Sequence, residues 1–303
     1  GDFTKYKKEI LADWPESTAL FFIGGPLSTA EYLIETQNVD PESPEFGRCD
    51  TDIGALAYLY TLNKPYNPYY RNKAVMNRVA LAFLYKLALS KRSMYFPLCG
   101  NGTGQEIHSN YAGGDGMVMV SDTVAYMLLA NDLDQKLKEL WGEGLAFPLR
   151  RFYSDRVSCE NQSMHWAVKL YAYGVGAGNP LFKELAANFV RDQADEKQNS
   201  FIRTGYLQEA YGPDATYQGL CSSMLAYYFH FSGDKDALAL WDKITGLFNH
   251  TVAPEPDGRI LYGASGFSHR TPGSWVQRQY GGGTALLTDH LENAAVWHRF
   301  DEP

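Results

Sequence analysis

The stretch "QGLCSSMLAYYFHFSGDKDALALWDKITGLF" (218–248) is the strongest constraint on what this chain can fold into. Apolar residues recur at helical spacing on both sides of a Ser-Gly-Asp break, which reads as two helices joined by a tight turn. A connection that short forces the second helix to run back along the first, so the pair must pack as an antiparallel hairpin. "NDLDQKLKEL" follows "SDTVAYMLLA" after an equally short break and predicts a second hairpin.

The same periodicity places helices over 4–13, 27–36, 51–62, 71–89, 118–130, 133–141, 162–174, 181–196, 216–231, 235–249 and 284–299. "RNKAVMNRVALAFLYKLALS" (71–90) is apolar on more than half its circumference, so it should be buried on two sides. Strand signals are sparse: "GRILYGASG" (258–266) is the best, followed by "SMYFPL" (93–98). There is no β-α alternation, no glycine-rich phosphate fingerprint and no internal repeat of the kind a solenoid needs. Glycine and aromatic residues gather in three long connections, 95–116, 200–216 and 250–283; loops of that length and ring content are usually functional. These features predict an all-α chain forming one domain over 1–303. The expected architecture is an α/α toroid, an incomplete barrel of antiparallel hairpins whose loops roof a cleft.

Composition narrows the function. A formal charge of −8 argues against nucleic acid as a partner, since phosphate binding needs a basic patch. No apolar run reaches membrane-spanning length, so no membrane insertion is expected. Cys49, Cys99, Cys159 and Cys221 lie at least 50 residues apart, which excludes a zinc knuckle or a C-x-x-C redox pair. With no H-E-x-x-H spacing either, neither metal nor cofactor is expected. The 21 Tyr, 16 Phe and 6 Trp are many for this length; most are expected in the core, and exposed ones commonly line clefts that hold sugars.

Three polar clusters stand out against the apolar helices. "ENQSMHWAV" (160–168) brings Asn161, Gln162, His165 and Trp166 to a helix start. Asn161 has a ready structural explanation as the helix cap, which leaves His165 and Trp166 to be explained by core packing or by a cleft. "RTGYLQEAYGPDATYQG" (203–219) carries Arg203, Tyr211 and Tyr217, with Asp214 or Thr216 as cap and Tyr217 in the first turn of the next helix. "GFSHRTPGSWVQRQYGGG" (266–283) sets His269, Arg270 and Trp275 among glycines, a composition suited to an anion or a sugar. A weaker fourth cluster contains His108. No G-x-S-x-G elbow is present.

Asn, His, Tyr and Arg together suit β-elimination at a uronic acid. The C5 proton becomes removable once amide, imidazole or guanidinium donors neutralise the adjacent carboxylate. A base then takes that proton while an acid protonates the leaving O4. "NQSMHWAV", followed about 50 residues later by "GPDATYQG" at a helix start, resembles the α/α-toroid polysaccharide lyases, including the alginate and chondroitin/hyaluronan lyase-like enzymes. Their patterns run Asn-Asn-His-x-x-Trp and then Asp-Gly-Ser/Thr-Tyr. The resemblance implies that Asn161 neutralises the carboxylate with Gln162 and Arg270, and that Tyr217 is the acid. The base would be Tyr217 itself or His165. Trp166, His108, Arg203, Tyr211, His269 and Trp275 would bind neighbouring sugars of an anionic polysaccharide or oligosaccharide. A secreted or periplasmic location follows from the same resemblance. The chain departs from the pattern at Gln162, at Ser163 in the histidine position and at Ala215 in the glycine position, and His165 falls two places late.

Two other functions fit the composition. An α/α-barrel glycoside hydrolase acting on uronyl oligosaccharides would need paired carboxylates, for which Asp115, Asp122 and Asp214 are the candidates. A helical carbohydrate-binding protein would hold sugar without turnover.

Overall fold

Asn and Asp set most of the helix starts. In the computed structural model the described residues are 53–65, 67–93, 120–149, 163–208, 214–254, 261–264 and 275–277. Eight α-helices fall among them: α1 (Ile53–Thr61), α2 (Lys73–Ser93), α3 (Val120–Leu129), α4 (Gln135–Leu149), α5 (His165–Gly176), α6 (Pro180–Ala194), α7 (Ala215–Ser232) and α8 (Lys235–Thr251). Five begin with the same device, a side-chain oxygen accepting an amide N–H of the first turn that has no partner within the helix. Asn72 accepts from Ala74 at 2.9 Å and Asp134 from Leu137 at 3.0 Å. Asn179 accepts from Leu181 at 3.1 Å, Asp214 from Tyr217 at 3.2 Å and Asp234 from Asp236 at 3.0 Å.

The expected helical character holds, and the eight helices match eight of the expected segments with shifts at the ends. The largest shift is at α4, which runs to Leu149 rather than ending at 141. The helices expected over 4–13, 27–36 and 284–299 lie outside the described residues, as does all but the first residue of the strand expected over 93–98. Among the described residues, no helix is long and apolar enough to cross a membrane.

The Ser-Gly-Asp turn forms as expected. The Gly233 amide donates to the Phe229 carbonyl at 2.7 Å, and Gly233 sits at φ 69°, a left-handed conformation that closes α7 at little cost without a side chain. Asp234 then caps α8 while its other carboxylate oxygen accepts the Tyr228 hydroxyl at 2.8 Å. Helices α7 and α8 pack together as the predicted hairpin. Helix α7 is buried from Gln218 to Met224 except at Leu220, and on through Tyr228, so it has no polar face.

The connection 250–283 is not wholly loop. It contains an antiparallel sheet of β1 (Val252–Pro254), β2 (Leu261–Ala264) and β3 (Trp275–Gln277) in the order β1-β2-β3. Val252 pairs with Gly263, and Ala264 pairs with Trp275. Strand β2 lies inside the expected strand 258–266. The other two are only three residues long, too short to show a two-residue alternation. Pro254 has no N–H to donate, and it sits on an edge strand, where a ladder tolerates it.

The chain divides into two compact units. Among the described residues, the first comprises 53–149 and 169–183, and the second comprises 163–168 and 184–277. In the first unit α1 packs on α2 and α3, and α2 and α3 both pack on α4. Its core is a chain of rings. Phe83 of α2 stacks on Trp141 of α4 with centroids 4.3 Å apart, and Trp141 meets Tyr126 of α3 at 5.9 Å. Tyr126 in turn meets Tyr173 of α5 at 6.1 Å, and Tyr173 meets Phe182 of α6 edge-on at 4.6 Å. These rings serve as core, not as the lining of a sugar cleft.

Tyr126 is the pivot of that chain. Two glycines let neighbouring helices close on it: a Cβ at Gly142 would lie 2.8 Å from its hydroxyl, and one at Gly176 would lie 2.5 Å from its ring edge. Its hydroxyl donates to the Lys138 carbonyl at 3.3 Å. Burial, together with the neighbouring Tyr173, pushes its phenol up to about 12. At the turn before α2, Arg71 adopts a left-handed backbone at φ 55°. Its guanidinium lies over the rings of Tyr60 and Tyr70 and pairs with Asp132, which joins the α1–α2 turn to the α3–α4 turn.

Candidate functional site at the start of α7

Tyr217 is placed by its neighbours in sequence. Asp214 is the cap of α7: its carboxylate accepts the Tyr217 amide, and its carbonyl accepts the Gln218 amide at 2.8 Å. Tyr217 is therefore the third helical residue, in the first turn as expected, and its side chain is half-buried. An aromatic ring at this depth can keep its body in the protein and offer its hydroxyl outward.

The residue after Tyr217 is one that sequence reading passed over. Gln218 is 2% exposed, and its carboxamide bonds to two other segments. The side-chain oxygen accepts the Leu207 amide at 3.1 Å. The side-chain nitrogen donates to the Ile244 carbonyl of α8 at 3.1 Å and to the Gly205 carbonyl at 3.4 Å. Gly205 closes a short 3₁₀ helix, Ser200–Thr204, at φ 80°, and a Cβ there would approach the Lys243 carbonyl to 3.3 Å. The segment 205–207 thus runs close along α8, held by one buried amide. A clue was present in the sequence. Gln218 opens a helix with no polar face, and an amide in such a place must be satisfied inside the protein.

Arg203 lies on the 3₁₀ helix and points to solvent, 67% exposed. Its Nε donates to Glu196 at 3.1 Å, and Lys243 of α8 donates to the other oxygen of the same carboxylate at 3.0 Å. These two cations, Lys243 above all, hold the Glu196 carboxyl below its ordinary range. Arg203, expected to bind a neighbouring sugar, is thus paired with Glu196 in this structure.

The start of α5 differs from the expectation in its boundary. A tight turn, in which the Ala167 amide donates to the Met164 carbonyl at 3.2 Å, delays the regular helix to His165. Asn161, the expected cap, lies outside the described residues. His165 is 5% exposed and Trp166 is 1% exposed, so both face the interior. A ring so deeply buried packs the core and leaves no face on which a sugar could stack, which corrects the binding role expected of Trp166.

His165, Trp166, Arg203 and Tyr217 belong to the second compact unit. Trp275 is on β3 of the same unit, where its backbone pairs with Ala264. Asn161, Gln162, His108, Tyr211, His269 and Arg270 lie outside the described residues. Of the carboxylates a hydrolase would need, Asp122 is fully buried in the first turn of α3 and Asp214 is occupied as a cap, while Asp115 lies outside the described residues. Among the described residues, no three His, Cys, Asp or Glu side chains gather to hold a metal ion. No protein family, curated protein or solved structure matches the chain.

Proposed function

We propose that the chain is a polysaccharide lyase of the α/α-toroid kind, secreted or periplasmic, cleaving a uronic-acid-containing polysaccharide by β-elimination. The observation that carries this reading is the placement of Tyr217, half-buried in the capped first turn of α7. Asn161, with Gln162 and Arg270, neutralises the substrate carboxylate. The C5–H bond breaks and its electron pair forms the C4=C5 double bond. The C4–O4 bond breaks in the same event, and O4 leaves with a proton. Tyr217 supplies that proton as the acid. Of the two candidates for the base, Tyr217 is the more accessible, because His165 is buried. Tyr217 therefore takes the C5 proton through its deprotonated oxygen and delivers that same proton to the departing O4.

The burial of Asp122 and the capping role of Asp214 favour elimination over hydrolysis, since a hydrolase needs two carboxyls that reach the glycosidic bond. Incubation with alginate, hyaluronan or chondroitin should generate unsaturated uronyl ends that absorb in the far ultraviolet. Tyr217→Phe should abolish that signal while the helical circular dichroism stays intact. A Tyr217→Phe protein that cleaves as fast as the parent would refute the assignment.

A further inference from the structure

We infer that Gln218 is a positioning residue that fixes the direction of Tyr217; the inference rests on the proposed role of Tyr217. The first turn of a helix ordinarily frays, because its amides have no partners within the helix. A group that transfers protons must be held to about 0.5 Å, which a fraying turn cannot do. At the start of α7 two restraints act together. The Asp214 carboxylate, itself buried, fixes the Tyr217 amide ahead of the first turn. From the interior, the Gln218 carboxamide joins the turn to the Leu207 amide, the Gly205 carbonyl and the Ile244 carbonyl. Its partners lie 11, 13 and 26 residues away, so the restraint ties α7 to α8 and to the 205–207 segment rather than to its own helix.

Neighbouring residues on a helix point about 100° apart. With Gln218 locked inward by three bonds, the rotation of the first turn about the helix axis is set, and with it the direction of the adjacent Tyr217. A side chain that only filled space at 218 would leave that rotation free. The arrangement also explains the amide itself. Leu or Met would suit the apolar surroundings of α7, but neither could satisfy the Leu207 amide and the two carbonyls at once.

The test uses the full chain with 3-fluorotyrosine at position 217, in the parent and in Gln218→Met, which keeps the side-chain length and removes its hydrogen bonds. In the parent, the Leu207 amide should be protected from hydrogen exchange to the same degree as the interior of α8. In Gln218→Met it should exchange about tenfold faster or more, and the fluorine resonance of residue 217 should shift or broaden. A fluorine resonance unchanged by Gln218→Met would overturn the inference, since Gln218 would then be structural only. An unprotected Leu207 amide in the parent would overturn it too, and that measurement needs no variant to fold. Neither readout depends on turnover, so a parent without elimination activity would refute the lyase reading while the exchange and fluorine data still decide the role of Gln218.

Discussion

Two buried carboxamides, Asn67 in the first unit and Gln218 in the second, work over different ranges. Asn67, in the first unit, donates to the carbonyls of Leu59 at 2.7 Å and Leu62 at 2.8 Å, and accepts the Tyr69 amide at 3.1 Å. All three partners lie within eight residues, so Asn67 shapes the α1–α2 connection and nothing beyond it. Gln218, in the second unit, binds partners on two other segments. The core of the first unit is instead joined over distance by rings, in the chain from Phe83 to Phe182, with the Gly54–Ser121 hydrogen bond and the Arg71–Asp132 pair beside it. Apolar packing orders helices without committing any polar group. Where order over distance is carried by a buried amide, as at Gln218, the geometry is directional, and that is the property a catalytic side chain next to it requires.

The largest expected effect tests the ring chain. Trp141→Ala removes the ring shared by Phe83 and Tyr126 and should cost about 3–5 kcal/mol in chemical denaturation. A loss below about 1 kcal/mol would mean that the rings do not carry the first unit.

The two glycines against Tyr126 sharpen the same point. Gly142→Ala and Gly176→Ala should each destabilise by about 1–3 kcal/mol, because the new methyl meets the tyrosine. Tyr126→Phe should rescue Gly142→Ala, whose close contact is the hydroxyl, but not Gly176→Ala, whose close contact is the ring carbon. A double-mutant cycle measures the difference, and equal rescue at both positions would contradict the packing described.

Next in size is the comparison of amides. Gln218→Met and Asn67→Leu should each cost about 1–3 kcal/mol, since both leave buried backbone groups without partners. Hydrogen exchange should separate them. The Asn67 variant should loosen only residues around the α1–α2 connection, whereas the Gln218 variant should loosen the 205–207 segment and the first turn of α7 together. Identical, local exchange patterns would erase the distinction drawn between the two units.

The smallest effect is alkaline. The Tyr126 phenol is raised in the folded state from 10 to about 12, so near pH 11 the unfolded chain has released a proton that the folded chain still holds. Its contribution is therefore fully present below about pH 10 and is lost as the pH rises through 12. In Tyr126→Phe the decline of stability between these limits should be shallower, measured as denaturation midpoints against pH. An equal decline in both proteins would remove the assigned cause.

Legibility in the sequence followed the range of the interactions. The Ser-Gly-Asp turn, a cap at Asp214 or Thr216 and the first-turn place of Tyr217 rest on contacts within four residues and were readable in advance; the structure selects Asp214. At α5 the reading placed the start at 162, whereas a backbone turn at Met164 sets the regular helix to begin at His165. Strands β1 and β3 owe their existence to pairing with β2, which no three-residue stretch reveals. Trp166 and Arg203 show the limit of reading chemistry from residue type. An indole at a helix start and a guanidinium in a loop both suit a sugar site; in the structure the first is buried and the second pairs with Glu196 at the surface. Gln218 escaped notice because its three partners come from elsewhere in the chain.

The central claim is that the start of α7 presents a proton-transferring tyrosine to a uronate polysaccharide. Its most direct test is the far-ultraviolet absorbance of alginate, hyaluronan or chondroitin solutions incubated with the parent chain and with Tyr217→Phe. The account predicts a steady rise from new unsaturated uronyl ends with the parent and none with a folded Tyr217→Phe protein. A rise of equal rate with both, or no rise from the parent on any uronate polymer, would contradict it.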